Sequence, residues 1–167
     1  MPYHHHNFQP LLNIFETKLN MENFLLHDDI KVFYVTATSF PDGVKEAHEK
    51  LHSLIPFSKE RKYFGVSRPE NNSGIIYHAA AQEMEDGEGE KLNCDTLVLK
   101  KGKYISLTIN NFMKDLPSIG KAFKQLLTYP GIDPQGYCVE WYLSEKDVRC
   151  MIRLYDSIIK TVMYEKR

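Results

Sequence analysis

The chain is poor in the residues that would staple it, anchor it or charge it. Its 167 residues include 3 cysteines, Cys94, Cys138 and Cys150, odd in number and far apart. That excludes a disulfide framework and reads as reduced, half-buried thiols in a cytoplasmic protein. No apolar run approaches the roughly 20 residues of a membrane-spanning helix, and no secretory signal is evident. An excess of one charge is missing too: 21 Lys and Arg stand against 22 Asp and Glu. A balanced chain has no overall field for a phosphate backbone, and helix-turn-helix, zinc-finger and basic-tail patterns are absent. The acidic segment 83–90 lacks the D-x-D-x-D-G spacing of a calcium loop. Membrane attachment and direct nucleic-acid binding are therefore not expected.

What is present is an ordinary globular composition, 43% hydrophobic and 26% charged, enough for one domain with a core. Aromatics make up 12%, and 10 of them are tyrosine, which suits a wet pocket or interface as well as a core.

Residues 1–29 read as an N-terminal arm, helical in its middle from Leu11 to Leu26. His4, His5 and His6 are given no function, because adjacent histidines cannot all face one metal. Residues 30–167 read as the main domain. Alternation and β-branched residues predict strands over 30–40, 63–67, 75–84, 95–99, 104–110, 137–143 and 148–154. Helical spacing predicts a helix from Asp42, as its cap, to Ile55, ended by Pro56. A second helix is predicted over 115–129, ended by Pro130-Gly131, and a short one near the C-terminus. Residues 85–91 read as a mobile acidic loop. Lys100-Lys101-Gly102 reads as the turn of a hairpin.

The order strand, helix, strand, strand occurs twice, starting at Lys31, Asp42, Tyr63 and Ile75 and again at Lys103, Asp115, Tyr137 and Val148. The offsets are 72, 73, 74 and 73 residues. A near-constant offset predicts an internal duplication. The fold class expected is α+β: two β-α-β-β units with pseudo-twofold symmetry, antiparallel sheets, two main helices and a central cleft.

Glu140 is the most informative residue. A carboxylate between large aromatics in an apolar strand is costly unless paired or protonated. Aromatic walls around such an acid suit a cation with an apolar body. Alternation groups Tyr34, Tyr77, Glu83, Tyr104, Glu140 and Tyr142 on one polar-aromatic face and leaves an aliphatic face for the helices. Trp141, beside Glu140, turns toward the helices by that rule.

His48-Glu49-Lys50-Leu51-His52 matches H-E-x-x-H, which on a helix offers two imidazoles to Zn²⁺ and a glutamate as base. His48 falls on the helix's apolar side and no third ligand is placed. No metal site is assigned, and a zinc metalloprotease is the weakest of the readings.

Tyr63-Phe64-Gly65-Val66-Ser67, Ile76-Tyr77-His78-Ala79-Ala80, Gly102-Lys103-Tyr104 and Glu140-Trp141-Tyr142 together resemble the GyrI-like effector-binding domains of bacterial transcription regulators, in the SOUL-like superfamily. The resemblance spans about Ile30 to Leu154. It implies a duplicated β-α-β-β fold with a cavity for amphipathic, often cationic, aromatic molecules. It also implies a buried glutamate at Glu140, pocket tyrosines at Tyr77, Tyr104 and Tyr142, and a second acid at Glu83. Tyr34 and Trp141 complete the candidate ligand-binding set. Residues 1–29 carry no DNA-binding pattern, a departure from the regulators, so direct transcriptional control is not expected.

The expectation is a stand-alone receptor that sequesters such a small molecule or reports it to a separate regulator protein, with no cofactor. The alternative implied by the same resemblance is a small hydrolase acting on electrophilic, cyclopropane-type natural products, with Glu140 as base.

Overall fold

Alternating β-branched and aromatic residues build eight strands, and two amphipathic stretches build the main helices. The computed structural model describes residues 21–70 and 74–156. In chain order the elements are β1 (Glu22–Leu26), β2 (Ile30–Thr36), α1 (Val44–Leu54), β3 (Tyr63–Glu70), β4 (Gly74–Gln82), the single turn α2 (Glu88–Lys91), β5 (Asp95–Leu99), β6 (Gly102–Ile109), α3 (Pro117–Leu126), β7 (Cys138–Tyr142) and β8 (Val148–Arg153). A 3₁₀ turn, Phe112–Lys114, leads into α3, and Pro117 opens that helix where its missing N–H costs nothing.

All eight strands form one antiparallel sheet in the order β1-β6-β8-β7-β3-β4-β2-β5, curled into a half-barrel. Helix α1 packs on β2 and β4, and α3 packs on β6 and β8. Ala47 and Leu51 are the buried residues of α1, and Ala122 and Leu126 those of α3. The central pair, β7 and β3, therefore runs beneath the seam between the two helices.

The opposite face is packed by one cluster that draws on every strand, from Leu26 at one edge to Leu99 at the other, through Val32, Phe64, Val139 and Met151. A sheet brings both edges into one cluster only by curling. Asp29 Oδ1 accepts a hydrogen bond from the Lys101 amide at 2.8 Å, tying the turn after β1 to the turn after β5.

Residues 22–26, placed in a helical arm, form β1, paired with β6 from Glu22↔Ser106 to Leu26↔Gly102. The strand hydrogen bonds to β6 override a weak helical pattern. Residues 1–20, with His4–His6, and the C-terminal segment 157–167 lie outside the described residues. Strands β5 and β6 are not a hairpin: β5 pairs with β2, and β6 pairs with β1 and β8. Turn chemistry at Lys100-Lys101-Gly102 marks where the chain reverses but not which strands pair. The short link suffices because the curl brings the two edges together. Asp42 does not cap α1, whose N-cap is Gly43 with no side-chain hydrogen bond. The acidic loop contains a helical turn held by Arg61, which forks onto Glu88 at 2.7 and 2.9 Å.

Candidate functional site

Glu140 sits in the middle of β7, 7% exposed, with Gly65 of β3 on one side and Cys150 of β8 on the other. Its side chain points into the seam between α1 and α3. Tyr142, two residues on, shares that face. Tyr77 arrives from β4 and His48 from the inner side of α1.

These four side chains form one hydrogen-bonded group. The Tyr142 hydroxyl donates to Glu140 Oε1 at 2.8 Å, and the Tyr77 hydroxyl lies 3.4 Å from the same oxygen. The two hydroxyls are 3.1 Å apart. His48 Nε2 is 2.8 Å from the Tyr77 hydroxyl and 3.4 Å from that of Tyr142. Its ring meets the Tyr142 ring edge-on, at 5.4 Å and 85°. Two phenylalanines extend the walls: Phe40, before α1, stacks on Tyr77 at 5.9 Å, and Phe112, before α3, lies 5.7 Å from Tyr142.

Gly65 makes this packing possible. A Cβ at that position would run into the Tyr77 hydroxyl and lie 3.1 Å from Glu140 Cδ. The absent side chain is thus the space that the two polar ends occupy.

Burial pushes the Glu140 carboxyl above the usual carboxylate range, against the opposing hydrogen bonds from Tyr142 and Tyr77. Burial, then the charge of His52, lowers His48 to about 4, so its imidazole is neutral near pH 7. Burial, then the charge of Glu140, drives the Tyr77 and Tyr142 hydroxyls well up. Among the described residues no lysine or arginine lies within ion-pair distance of Glu140. The group is therefore an acid, two hydroxyl donors and a neutral imidazole in a mostly buried setting. It can stabilise an added positive charge or move a proton.

The seven candidate ligand residues divide. Glu140, Tyr142 and Tyr77 come together. Tyr104 and Tyr34 pack with the cluster on the opposite face. The Tyr104 hydroxyl donates to the Lys100 carbonyl at 2.6 Å, and Tyr34 lies on His78 with ring centroids 4.0 Å apart. Trp141 is also on that face, against Phe24 and Phe64, so it turns away from the helices rather than toward them. Glu83 accepts the Gly87 amide at 2.6 Å and pairs with Lys31 at 3.3 Å, which fixes the turn before α2. The face assignment failed because both faces of this sheet are buried, so polarity does not label them. A cleft of about 60 Å³ on the other face is lined by Tyr104, Arg153, Asp133 and Tyr137, and touches none of the Glu140 group.

Sequence reasoning missed His48 as a member of the site. Its place on the apolar side of α1 was legible, but the two-histidine motif drew attention to zinc. His52 instead packs on Tyr63 at 5.0 Å, and no group of three metal-ligating side chains occurs among the described residues. Gly65, Phe40 and Phe112 were also missed.

No family model and no curated protein sequence matches the chain. Solved structures do match. An integron cassette protein from the mobile metagenome of Vibrio cholerae aligns with a TM-score of 0.61 at 16% identity, over 81% of this chain and 96% of that one. SAV2435 bound to tetraphenylphosphonium aligns with a TM-score of 0.54 at 9% identity, over 81% and 93%. EcmrR, in a complex with DNA, aligns with a TM-score of 0.53 at 11% identity, over 87% of this chain and 62% of that one. At these identities the likeness is one of fold. The neighbours are consistent with a GyrI-like fold, and they include a ligand-bound protein and a DNA-bound one. No described helix is long and apolar enough to cross a membrane.

Proposed function

We propose that this protein is a GyrI-like receptor for amphipathic, cationic aromatic small molecules, taken up in the seam between α1 and α3 over Glu140. The observation that carries the reading is the buried Glu140 carboxyl, ringed by tyrosines and without a basic partner among the described residues. Were it buried permanently as an anion for a structural purpose, a protein cation would be expected beside it. The likeness to SAV2435 bound to tetraphenylphosphonium adds support. The bound molecule is either sequestered in the cytoplasm or reported to a separate regulator, and the EcmrR likeness makes transcriptional control the natural setting.

The same reading takes the domain as a duplication. The elements β1, β2, α1, β3 and β4 begin 72 to 75 residues before β5, β6, α3, β7 and β8. On this reading each half lends its first strand to the other: β1 pairs with β6, and β5 with β2. The pseudo-twofold axis then passes between Gly65 and Glu140, which are 75 residues apart and direct partners. Phe40 and Phe112 become counterparts, one from each half.

Titration with tetraphenylphosphonium and with tetraphenylborate, the same shape with opposite charge, tests the function. The cation is expected to bind and to raise the melting temperature, and the anion is not. Glu140→Gln is expected to weaken the cation by about 1–3 kcal/mol, the scale of a charge-assisted contact. Equal affinity for both ions, or none for either, overturns the reading.

A hydrolase remains the second reading. It is favoured by one feature: an acid with raised proton affinity within 2.8 Å of a tyrosine hydroxyl, the pairing that general-base attack by water needs. Multiple turnovers of a cyclopropane-bearing electrophile, abolished by Glu140→Gln, would promote it.

A further inference from the structure

The Glu140 site has more structure than a receptor for a positive charge requires. Both hydrogen bonds to the carboxyl end on Oε1, and among the described residues none ends on Oε2. An ionised carboxylate offers about four acceptor positions, and several good donors are what hold a buried one in its charged form. Here the better donor is a single hydroxyl at 2.8 Å, with the second stretched to 3.4 Å. Tyr77 lies closer to His48, at 2.8 Å, than to the carboxyl.

The surroundings on every packed element agree. Strand β7 itself contributes Tyr142 and Cys138, β8 contributes Cys150, and β4 contributes Tyr77. Helix α1 contributes His48, neutral near pH 7. Strand β3 contributes Gly65, and no titratable side chain of α3 reaches the carboxyl. Every one of these groups is uncharged near pH 7, and none stabilises an anion as an ammonium or guanidinium would. A negative charge placed there is opposed by burial with little in return.

We propose that Glu140 is held as a neutral carboxylic acid until a cation arrives, and that binding exchanges the cation for the carboxyl proton. The step balances simply. The Glu140 O–H bond breaks, its proton passes to bulk buffer, and the carboxylate stays behind as the counter-ion of the bound cation. The hydroxyls of Tyr142 and Tyr77 and His48 Nε2 lie within hydrogen-bond distance of one another in turn, and they link the carboxyl on the strand to the helix. The exchange rests on the receptor reading given above. It makes the receptor sensitive to proton concentration as well as to ligand, so a permanent cation is held more tightly as pH rises.

Two measurements separate this proposal from the receptor reading itself. The first is calorimetric titration of the full chain with tetraphenylphosphonium in buffers of different ionisation enthalpy, repeated across pH. The expected result is release of about one proton per cation, with affinity rising about tenfold per pH unit below the Glu140 pKa and levelling above it. Glu140→Gln should bind more weakly, release none, and lose the pH dependence. Tight binding by the parent chain with no proton release overturns the exchange and leaves the receptor standing. The second needs no ligand: infrared difference spectra of the parent chain against Glu140→Gln near neutral pH. A protonated-carboxyl carbonyl band absent from the variant supports the proposal. Carboxylate bands in its place overturn it, even if no cation binds and the receptor reading has failed on its own.

Discussion

Gly65 and Glu140 are direct partners across the β3–β7 seam, and the glycine's missing side chain is filled by the ends of Glu140 and Tyr77. The relationship is reciprocal. Without the glycine the tyrosine hydroxyl cannot reach the carboxyl, and without that hydroxyl one side of the buried acid loses its donor.

Gly65→Ala is accordingly expected to destabilise the chain by about 1–3 kcal/mol, the usual range for overpacking a dense core. The added methyl runs into the Tyr77 hydroxyl, so Tyr77 must retreat from Glu140 and His48. Urea melts measure the loss. Affinity for tetraphenylphosphonium should fall as well, because the wall moves. An alanine variant as stable as the parent would mean that the seam is looser than these distances imply.

Glu140 also makes stability depend on pH. Its folded proton affinity is raised by burial, so the contribution it makes is fully present below the unfolded carboxylate pKa and is lost as pH rises through the folded value. Glu140→Gln has no such titration. Relative to the parent, the variant should gain stability with rising pH, by about 1.4 kcal/mol for each tenfold difference in proton affinity between the folded and unfolded states. Paired denaturant melts from pH 4 to pH 8 show this directly. A constant difference between the two proteins would show that Glu140 titrates normally.

His48 works in the opposite sense. Its folded pKa is lowered to about 4 from an ordinary 6.5, so its contribution is present above pH 6.5 and is lost as pH falls through about 4. His48→Gln should flatten the acid limb of the stability profile by up to roughly 3 kcal/mol, the limit set by that displacement. At pH 7 the cost should be smaller, about 1 kcal/mol, because glutamine can still hydrogen-bond Tyr77. Melts at pH 7 and pH 5 distinguish the two regimes.

Much of this architecture was legible in the sequence, and the reasons for the remainder are physical. Period-two alternation located seven of the strands, and period 3.6 located α1 and α3, because those signals are local. Glu140 stood out because an acid among apolar neighbours is rare for energetic reasons. The failures lie where local pattern underdetermines long-range pairing. Lys100-Lys101-Gly102 looks like any hairpin turn, yet it links strands near opposite edges of a curled sheet. Tyr34 and Tyr104 alternate like Tyr77, but their register places them on the other face, and register across strands is not written in any one strand. His48 needed the sheet beneath α1 before its hydrogen bond to Tyr77 could be seen.

That division between the faces gives a direct test using tyrosines that differ in position alone. Tyr142→Phe removes the 2.8 Å donor to Glu140, and Tyr77→Phe removes the link between Glu140 and His48. Both should change cation affinity by severalfold or more, since the ionised carboxylate then meets fewer donors. Tyr104→Phe removes a hydrogen bond to the Lys100 carbonyl on the opposite face. It should cost about 1 kcal/mol of stability and leave affinity for tetraphenylphosphonium unchanged. The contrast is informative because the chemical change is identical in all three variants. A loss of affinity in Tyr104→Phe as large as in Tyr142→Phe would move the binding site to the other face of the sheet, where Tyr34 and Tyr104 lie.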